Sequence, residues 1–288
     1  MRHGWWPGLA GLALVLAAAP VAAQQRGAGP LSPEQIDKMI PKHPGYLGAM
    51  APENLNKPRP APGFDMTGTW FVDLSAGFAK FMFGPPYPKF LPDAQKALEE
   101  GQAAAKAGKT YRDAIGQCYP AGMPMIMTRV WPILFVQKPT AIYMVAGFVN
   151  SFRAIYLDGR KFSDPDTVVH TYNGESIGHW EGKTLVIDTR YIEPENHYID
   201  NGIPVSDEFR ITERITMLED GKRMQIDYIM TDPQNWEGEW RNTKQWTRQD
   251  YTDIGEVECV LANNAHLPGT DLGNASVGTA GTSGETER

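Results

Sequence analysis

The chain has 288 residues, of which 42% are hydrophobic and 21% are charged. This balance is typical of a folded globular protein and excludes a fibrous or wholly disordered chain. The formal net charge of -7 produces a field that repels phosphate backbones and anionic lipid surfaces. Nucleic-acid binding is therefore not expected.

The first 23 residues have the pattern of an export signal. Arg2 supplies the positive start, residues 9–19 form an apolar run, and the small residues 21–23 form a cleavage site. The run is shorter than the ~20 apolar residues that a membrane span needs. We therefore expect cleavage after residue 23 and a periplasmic or secreted mature protein without a membrane span.

The two cysteines, Cys118 and Cys259, are far apart in the sequence. Export would place them in an oxidising compartment, where a disulfide between them can persist. The alternative is that both are free and buried. The sequence leaves both possibilities open.

Three stretches of the remaining chain stand out by their composition. Residues 24–64 are rich in proline, glycine and alanine and predict an extended arm, in which Ser32 and Pro33 indicate a short capped helix. Residues 91–108 are strong helix formers, but their apolar positions are mostly alanine, so we expect a helix that covers the core. Residues 268–288 have almost no large apolar side chain and predict a disordered tail.

The remaining sequence, within residues 65–267, alternates short β-type runs with turn signals. We predict strands at 66–72, 125–130, 133–138, 141–149, 152–157, 176–180, 184–189, 209–217, 223–230 and 240–248. The first strand opens with Gly68-x-Trp70, as in lipocalin-like barrels, where the tryptophan closes one end. The pattern therefore predicts a single mainly β domain, an antiparallel barrel or strongly curved sheet of lipocalin-like type with one or two covering helices.

Several enzyme signatures are missing from the sequence. It contains no P-loop, no G-x-G-x-x-G after a strand, no G-x-S-x-G and no H-E-x-x-H. Nucleotide and flavin chemistry, elbow-type hydrolysis and zincin proteolysis therefore have no support, and no cofactor is expected. Two classes of function remain compatible with the sequence: an enzyme that transfers protons without a cofactor, and a protein that binds a ligand without catalysis.

Separate motifs occur in the order found in a known family. Residues 153–160 read R-A-I-Y-L-D-G-R and residues 175–189 read E-S-I-G-H-W-E-G-K-T-L-V-I-D-T. Further matching pieces are 118–124, 206–214 and 232–233. Across roughly residues 65–250 the chain resembles a family of exported bacterial proteins of mostly unknown function. The usual motifs of that family are close to R-x-I-Y-x-D-G-R and G-H-S-x-G-x-W-E-G-D-T-L-V-V-D-T.

Some proteins similar to this family break down lignin-derived aromatic dimers of the phenylcoumaran type. The resemblance thus implies a cofactor-independent carbon–carbon lyase that acts on a phenolic dimer in the barrel interior. Such an enzyme would release formaldehyde or carbon dioxide and leave a stilbene-like alkene. The alternative is a secreted lipocalin-like protein that binds an apolar or aromatic molecule in the same interior without catalysis.

The acid–base candidates are His170, Glu175 and His179, which lie within ten positions and would meet at one pocket mouth, with Tyr156 as a proton donor. The alternative is ordinary surface or loop placement. The family commonly has histidine at position 175 and arginine at position 179, so roles that depend on those side chains do not transfer. H-x4-E-x3-H fits no standard metal spacing, and no metal site is expected.

Arg153 lies inside an apolar strand, where a guanidinium needs an anionic partner. That partner is either a carboxylate of the protein or a carboxylate or phenolate of a substrate. In the lyase interpretation Arg153 anchors the substrate and Trp180 contacts it. The protein carboxylates that we consider are Glu181, Asp188 and Glu213. For Asp158 and Arg160 we expect a local pair that fixes their turn.

Overall fold

The computed structural model describes residues 30–42, 45–77, 81–109, 111–112, 114–149 and 151–259. The predicted export signal and the predicted tail lie outside these residues. Contacts divide the chain into two units, residues 1–44 and 45–288. The first unit contains helix α1 (Pro33–Met39), whose Ser32 hydroxyl accepts a hydrogen bond from the Gln35 N–H at 3.2 Å while Gln35 Oε1 accepts one from the Ser32 N–H at 2.8 Å. This capping box confirms the short helix expected from Ser32 and Pro33.

The second unit contains the strands. Those of the main sheet are β1 (Gly68–Val72), β3 (Ile133–Gln137), β4 (Ala141–Ala146), β5 (Ser151–Tyr156), β6 (Glu175–Glu181), β7 (Thr184–Arg190), β10 (Arg210–Met217), β11 (Arg223–Thr231) and β13 (Trp240–Arg248). Short strands pair separately: β2 (Lys89–Phe90) with β12 (Trp236–Glu237), and β8 (Tyr198–Ile199) with β9 (Ile203–Pro204). Helices are α2 (Pro52–Leu55) and α3 (Pro92–Lys106), with 3-10 turns at Ile115–Gln117, Met125–Thr128 and Asp200–Gly202.

The main sheet is a closed barrel with the order β1-β13-β11-β10-β7-β6-β5-β4-β3, because β1 pairs with both β13 and β3. This confirms the predicted mainly β barrel with few covering helices. Nine strands cannot alternate in direction around a closed ring, so at least one neighbouring pair must be parallel. That pair is β5 and β6, and residues 157–174 connect the end of β5 to the start of β6.

Inward-facing side chains fill the barrel. Successive residues of a strand point to opposite faces, so one set of alternate positions faces the interior. At those positions lie the fully buried rings of Trp70, Phe135, Tyr228, Trp240 and Trp246. These rings belong to the hydrophobic core of the barrel.

Trp70 packs at the barrel end where β1 begins. Its Nε1 donates to the Met66 carbonyl at 2.8 Å, and the guanidinium carbon of Arg248 lies 4.6 Å from its ring centre. Gly68 has φ of 141°, and a side chain at this position would collide with Arg248. The Gly68-x-Trp70 pattern therefore combines a ring that plugs the barrel with a residue that leaves room for the arginine covering it.

One predicted strand is wrong. Residues 125–130 contain the 3-10 turn Met125–Thr128 instead, in which the Ile126 N–H donates to the Gly122 carbonyl at 2.7 Å and Thr128 Oγ1 donates to the Met125 carbonyl at 2.9 Å. A short apolar run without alternation is compatible with either a buried strand or a buried turn. Here the run packs into the core as a turn.

A disulfide joins Cys118 and Cys259, whose Cα atoms are 5.5 Å apart. It connects the loop before β3 to the segment after β13. Of the two possibilities left open by the sequence, the structure has the bridge. Among the helices of the described residues, none is long and apolar enough to cross a membrane.

Candidate functional site

Arg153 lies in the barrel interior and is only 2% exposed. Its guanidinium forms an ion pair with Glu213 on β10, which is also buried, through two hydrogen bonds. The other N–H groups bond to Ser176 Oγ at 2.9 Å, Thr189 Oγ1 at 2.8 Å and Met123 Sδ at 3.4 Å. All five N–H donors of the guanidinium therefore have partners within the protein.

This set of contacts gives Arg153 a structural role. Of the three carboxylates considered as its partner, the structure selects Glu213, while Asp188 and Glu181 accept hydrogen bonds from other residues. A substrate carboxylate would have to displace Glu213 in the core. Arg153 is therefore no longer a candidate substrate anchor.

His170 and Glu175 lie in one neighbourhood outside the barrel. The ring centre of His170 is 5.7 Å from that of Tyr191, whose hydroxyl donates to the Ser163 carbonyl at 2.9 Å. The Glu175 carboxylate accepts from the Ser163 N–H at 2.9 Å and from Ser163 Oγ at 3.2 Å. His179 faces the same side of β6, but four residues along a strand span about 13 Å. His179 therefore does not share a pocket mouth with Glu175.

Tyr156 belongs to a stack on the outer face of β5. The Arg160 guanidinium carbon lies 3.7 Å from the ring centre of Tyr156 and 5.4 Å from that of Tyr46. The same guanidinium donates to both oxygens of Asp158, at 2.9 Å and 2.6 Å, which is the local pair expected from the D-G-R sequence. Tyr156 thus supports the turn that Asp158 and Arg160 form.

A pocket of about 750 Å³ lies where β3 turns into β4 and β6 turns into β7. We call it the end pocket. The segments 55–65, 137–139, 157–159 and 179–180 contribute its lining, whose surface is mostly apolar. The end pocket therefore combines chain segments that are far apart in sequence at one end of the barrel.

The barrel end beside the pocket is closed by segment 55–65. Gln137 Nε2 donates to the Phe64 carbonyl at 2.9 Å, and Gln137 Oε1 accepts from the Met66 N–H at 3.1 Å. The rings of Phe64 and Trp180 meet edge to face with centres 4.9 Å apart. Gly63 passes so close to the β6–β7 turn that a Cβ there would lie 2.7 Å from the Gly182 carbonyl oxygen. The residues Leu157 and Trp180 of the pocket lining also pack against the hydrophobic core.

His179 and Trp180 are the two sequence candidates that line the end pocket. His179 Nε2 lies 3.3 Å from Glu181 Oε1, and Arg214 donates to the other oxygen of that carboxylate at 2.8 Å. The hydrogen bonds from Arg214 and His179 lower the pKa of Glu181. The pocket rim therefore carries a histidine beside a carboxylate that Arg214 holds by a hydrogen bond.

Two buried charged residues were missed by the sequence analysis. Asp200 is fully buried, and burial raises its pKa, although it accepts a hydrogen bond from the Phe83 N–H at 2.5 Å. Burial lowers the pKa of Lys244 to about 8, and its Nζ donates to the Met82 carbonyl at 2.6 Å. Lys244 and Trp246 are two positions apart on β13, so both side chains lie on the same face of the strand. The period of a strand therefore indicated that Lys244 faces inward. Nothing in the sequence marked Asp200.

Within the described part of the chain, no group of three histidine, cysteine, aspartate or glutamate side chains is placed to hold a metal ion. The fold and the site define a nine-stranded β-barrel protein with a largely apolar pocket at one barrel end. No protein-family model matches the chain, and no curated protein matches it.

Proposed function

We propose that this barrel protein binds an aromatic small molecule in the end pocket. The end pocket carries this proposal, because its volume of about 750 Å³ is within the range of small-molecule sites and its lining is mostly apolar. Trp180 offers a ring that Phe64 holds in place. Backbone segments that close the barrel surround it, so the site is largely formed before a ligand arrives.

Replacing Trp180 by alanine is expected to weaken the binding of an aromatic probe by about tenfold, because the ligand loses its main ring contact. Isothermal titration calorimetry with lignin-type phenolic dimers and biphenyl derivatives measures this. Trp131→Ala is the matched control, since Trp131 is partly exposed and packs on Phe148 away from the end pocket. Binding that survives in Trp180→Ala but is lost in Trp131→Ala would place the site elsewhere.

We also propose that the protein is exported. The disulfide between Cys118 and Cys259 supports this location, because structural disulfides persist in oxidising compartments and are rare in the reducing cytosol. The apolar N-terminal run with its small-residue cleavage site points the same way. A periplasmic or secreted binding protein would meet small aromatic molecules before they enter the cell.

The second candidate function is the cofactor-independent lyase reaction at the same pocket, and the presence of His179 in the pocket lining favours it. His179 would take the proton of a phenol para to the benzylic carbon, so that electrons move through the ring and the adjacent ether opens. Loss of the side-chain hydroxymethyl group as formaldehyde, with its hydroxyl proton going to a base, would then restore the aromatic ring. The products are a stilbene-like alkene and formaldehyde, with no net oxidation.

If the protein has this activity, His179→Gln is expected to lower turnover by about 100-fold or more, because a positioned base contributes at least that factor. Purified protein would be incubated with phenylcoumaran-type dimers, chelator and no added cofactor while stilbene absorbance and formaldehyde are followed. His170→Gln is the control, because His170 contacts Tyr191 and does not line the end pocket. Equal loss in both variants, or full activity in His179→Gln, would reject His179 as the base.

A further inference from the structure

The end pocket contains two carboxylates, and each is held by protein donors. Asp158 accepts two hydrogen bonds from Arg160 and one from Asn54 Nδ2 at 3.0 Å. Burial alone would raise the pKa of Asp158, but these hydrogen bonds outweigh it and lower the pKa to about 2. Asp65 Oδ1 accepts from the Thr67 N–H at 2.8 Å. Both carboxylates are therefore ionised at neutral pH, and each already has a donor.

Three cationic side chains line the same pocket: Lys57, Arg59 and Lys138. The Arg59 guanidinium bonds only to neutral acceptors, namely the carbonyls of Asn54 and Lys57 and the side-chain oxygen of Asn54. For the ammonium groups of Lys57 and Lys138, no carboxylate of the described residues lies within ion-pair distance. The lining thus has three cations without a carboxylate partner.

The charges of the lining indicate the kind of ligand. Three cations line the pocket, and of its two carboxylates Asp158 is already paired with Arg160, so the site has an excess of positive charge inside a protein whose net charge is -7. This excess favours a ligand that carries an anionic group. The apolar residues and Trp180 suit a ring system next to that anionic group.

We propose that the end pocket selects aromatic carboxylates, with the ring against Trp180 and the carboxylate at Lys138. This inference rests on the proposed function of the end pocket. Lys138 follows β3 directly, and its backbone N–H donates to the Ala141 carbonyl at 2.8 Å, so the β3–β4 turn fixes the backbone from which the side chain extends. A carboxylate there forms a charge-assisted hydrogen bond with an ammonium that has no competing anion.

The test uses two probes that differ only in charge, biphenyl-4-carboxylate and biphenyl-4-carboxamide. Isothermal titration calorimetry of the purified protein at pH 7 and low salt should show that the acid binds about tenfold more tightly than the amide. In Lys138→Gln this preference is expected to fall about fivefold, while affinity for the amide stays within about twofold. Lys106→Gln removes the same charge from α3, which does not line the end pocket, and should keep the preference.

The outcomes separate this inference from the function on which it rests. Equal binding of the acid and the amide, both weakened by Trp180→Ala, contradicts the carboxylate preference but retains aromatic binding at the end pocket. A preference that survives in Lys138→Gln also contradicts it, because the carboxylate would then not lie at Lys138. Failure of both probes and of the phenolic dimers to bind rejects the proposed function itself.

Discussion

Replacing Glu213 by glutamine is expected to lower the free energy of unfolding by about 3–5 kcal/mol, because it leaves the buried Arg153 guanidinium without a counter-ion. Both side chains are at most 2% exposed, so water cannot replace the lost carboxylate. Urea unfolding at pH 7, followed by tryptophan fluorescence, measures the change. Glu181→Gln is the matched control, since it breaks an exposed pair with Arg214 and should cost much less.

The double variant Arg153→Met, Glu213→Leu distinguishes loss of the pair from burial of one unpaired charge. With both charges removed, the stability should recover most of what Glu213→Gln loses. The hydroxyls of Ser176 and Thr189, which lie 3.0 Å apart, can still bond to each other after Arg153 is replaced. A double variant that is as unstable as Glu213→Gln would contradict this expectation and show that the ion pair is a net source of stability.

The motifs that carry the family resemblance meet in this network. Arg153 comes from the R-x-I-Y-x-D-G-R segment, Met123 from residues 118–124 and Glu213 from residues 206–214. Alternation along β10 places Glu213 on the same face as Ile211 and Ile215, so its burial was predictable from the strand pattern. One residue from each of these three segments therefore helps to hold the barrel together.

The barrel could be predicted because each hairpin is encoded locally by alternation and by a turn. At the Asp220-Gly221 turn, Gly221 has φ of 64°, the conformation expected there. The closure of the barrel could not be predicted from local patterns, because β1 pairs with β3 and β13, which are remote in sequence. The parallel contact of β5 with β6 is likewise a property of the whole ring.

The end pocket shows the limit of sequence analysis more clearly. Its four lining segments have no common motif, and they come from parts of the chain that are far apart in sequence. Proximity in sequence suggested that Glu175 and His179 act together, but both lie on one strand at positions about 13 Å apart. Trp180 and His179 were found as candidates, whereas Lys57, Arg59 and Lys138 carried no signal in an exposed, proline-rich context.

Converting Cys118 and Cys259 to serine is expected to lower the free energy of unfolding by about 2–4 kcal/mol, the usual contribution of a natural disulfide. The bridge joins residues 141 positions apart, so it restricts a large loop of the unfolded chain. In the chain-entropy model, a disulfide that closes a loop of this length stabilises the folded protein by at most about 5 kcal/mol. Urea unfolding without reductant measures the difference.

Reductant supplies the control for this variant. Dithiothreitol should lower the stability of the wild-type protein to that of the serine pair and leave the serine pair unchanged, because only the wild type has a bond to lose. If the serine pair is as stable as the oxidised wild type, the bridge does not restrict the unfolded chain in the expected way. If the serine variant loses well over about 5 kcal/mol of stability, the loss exceeds the entropic limit. The bridge would then also hold native contacts between the loop before β3 and the segment after β13.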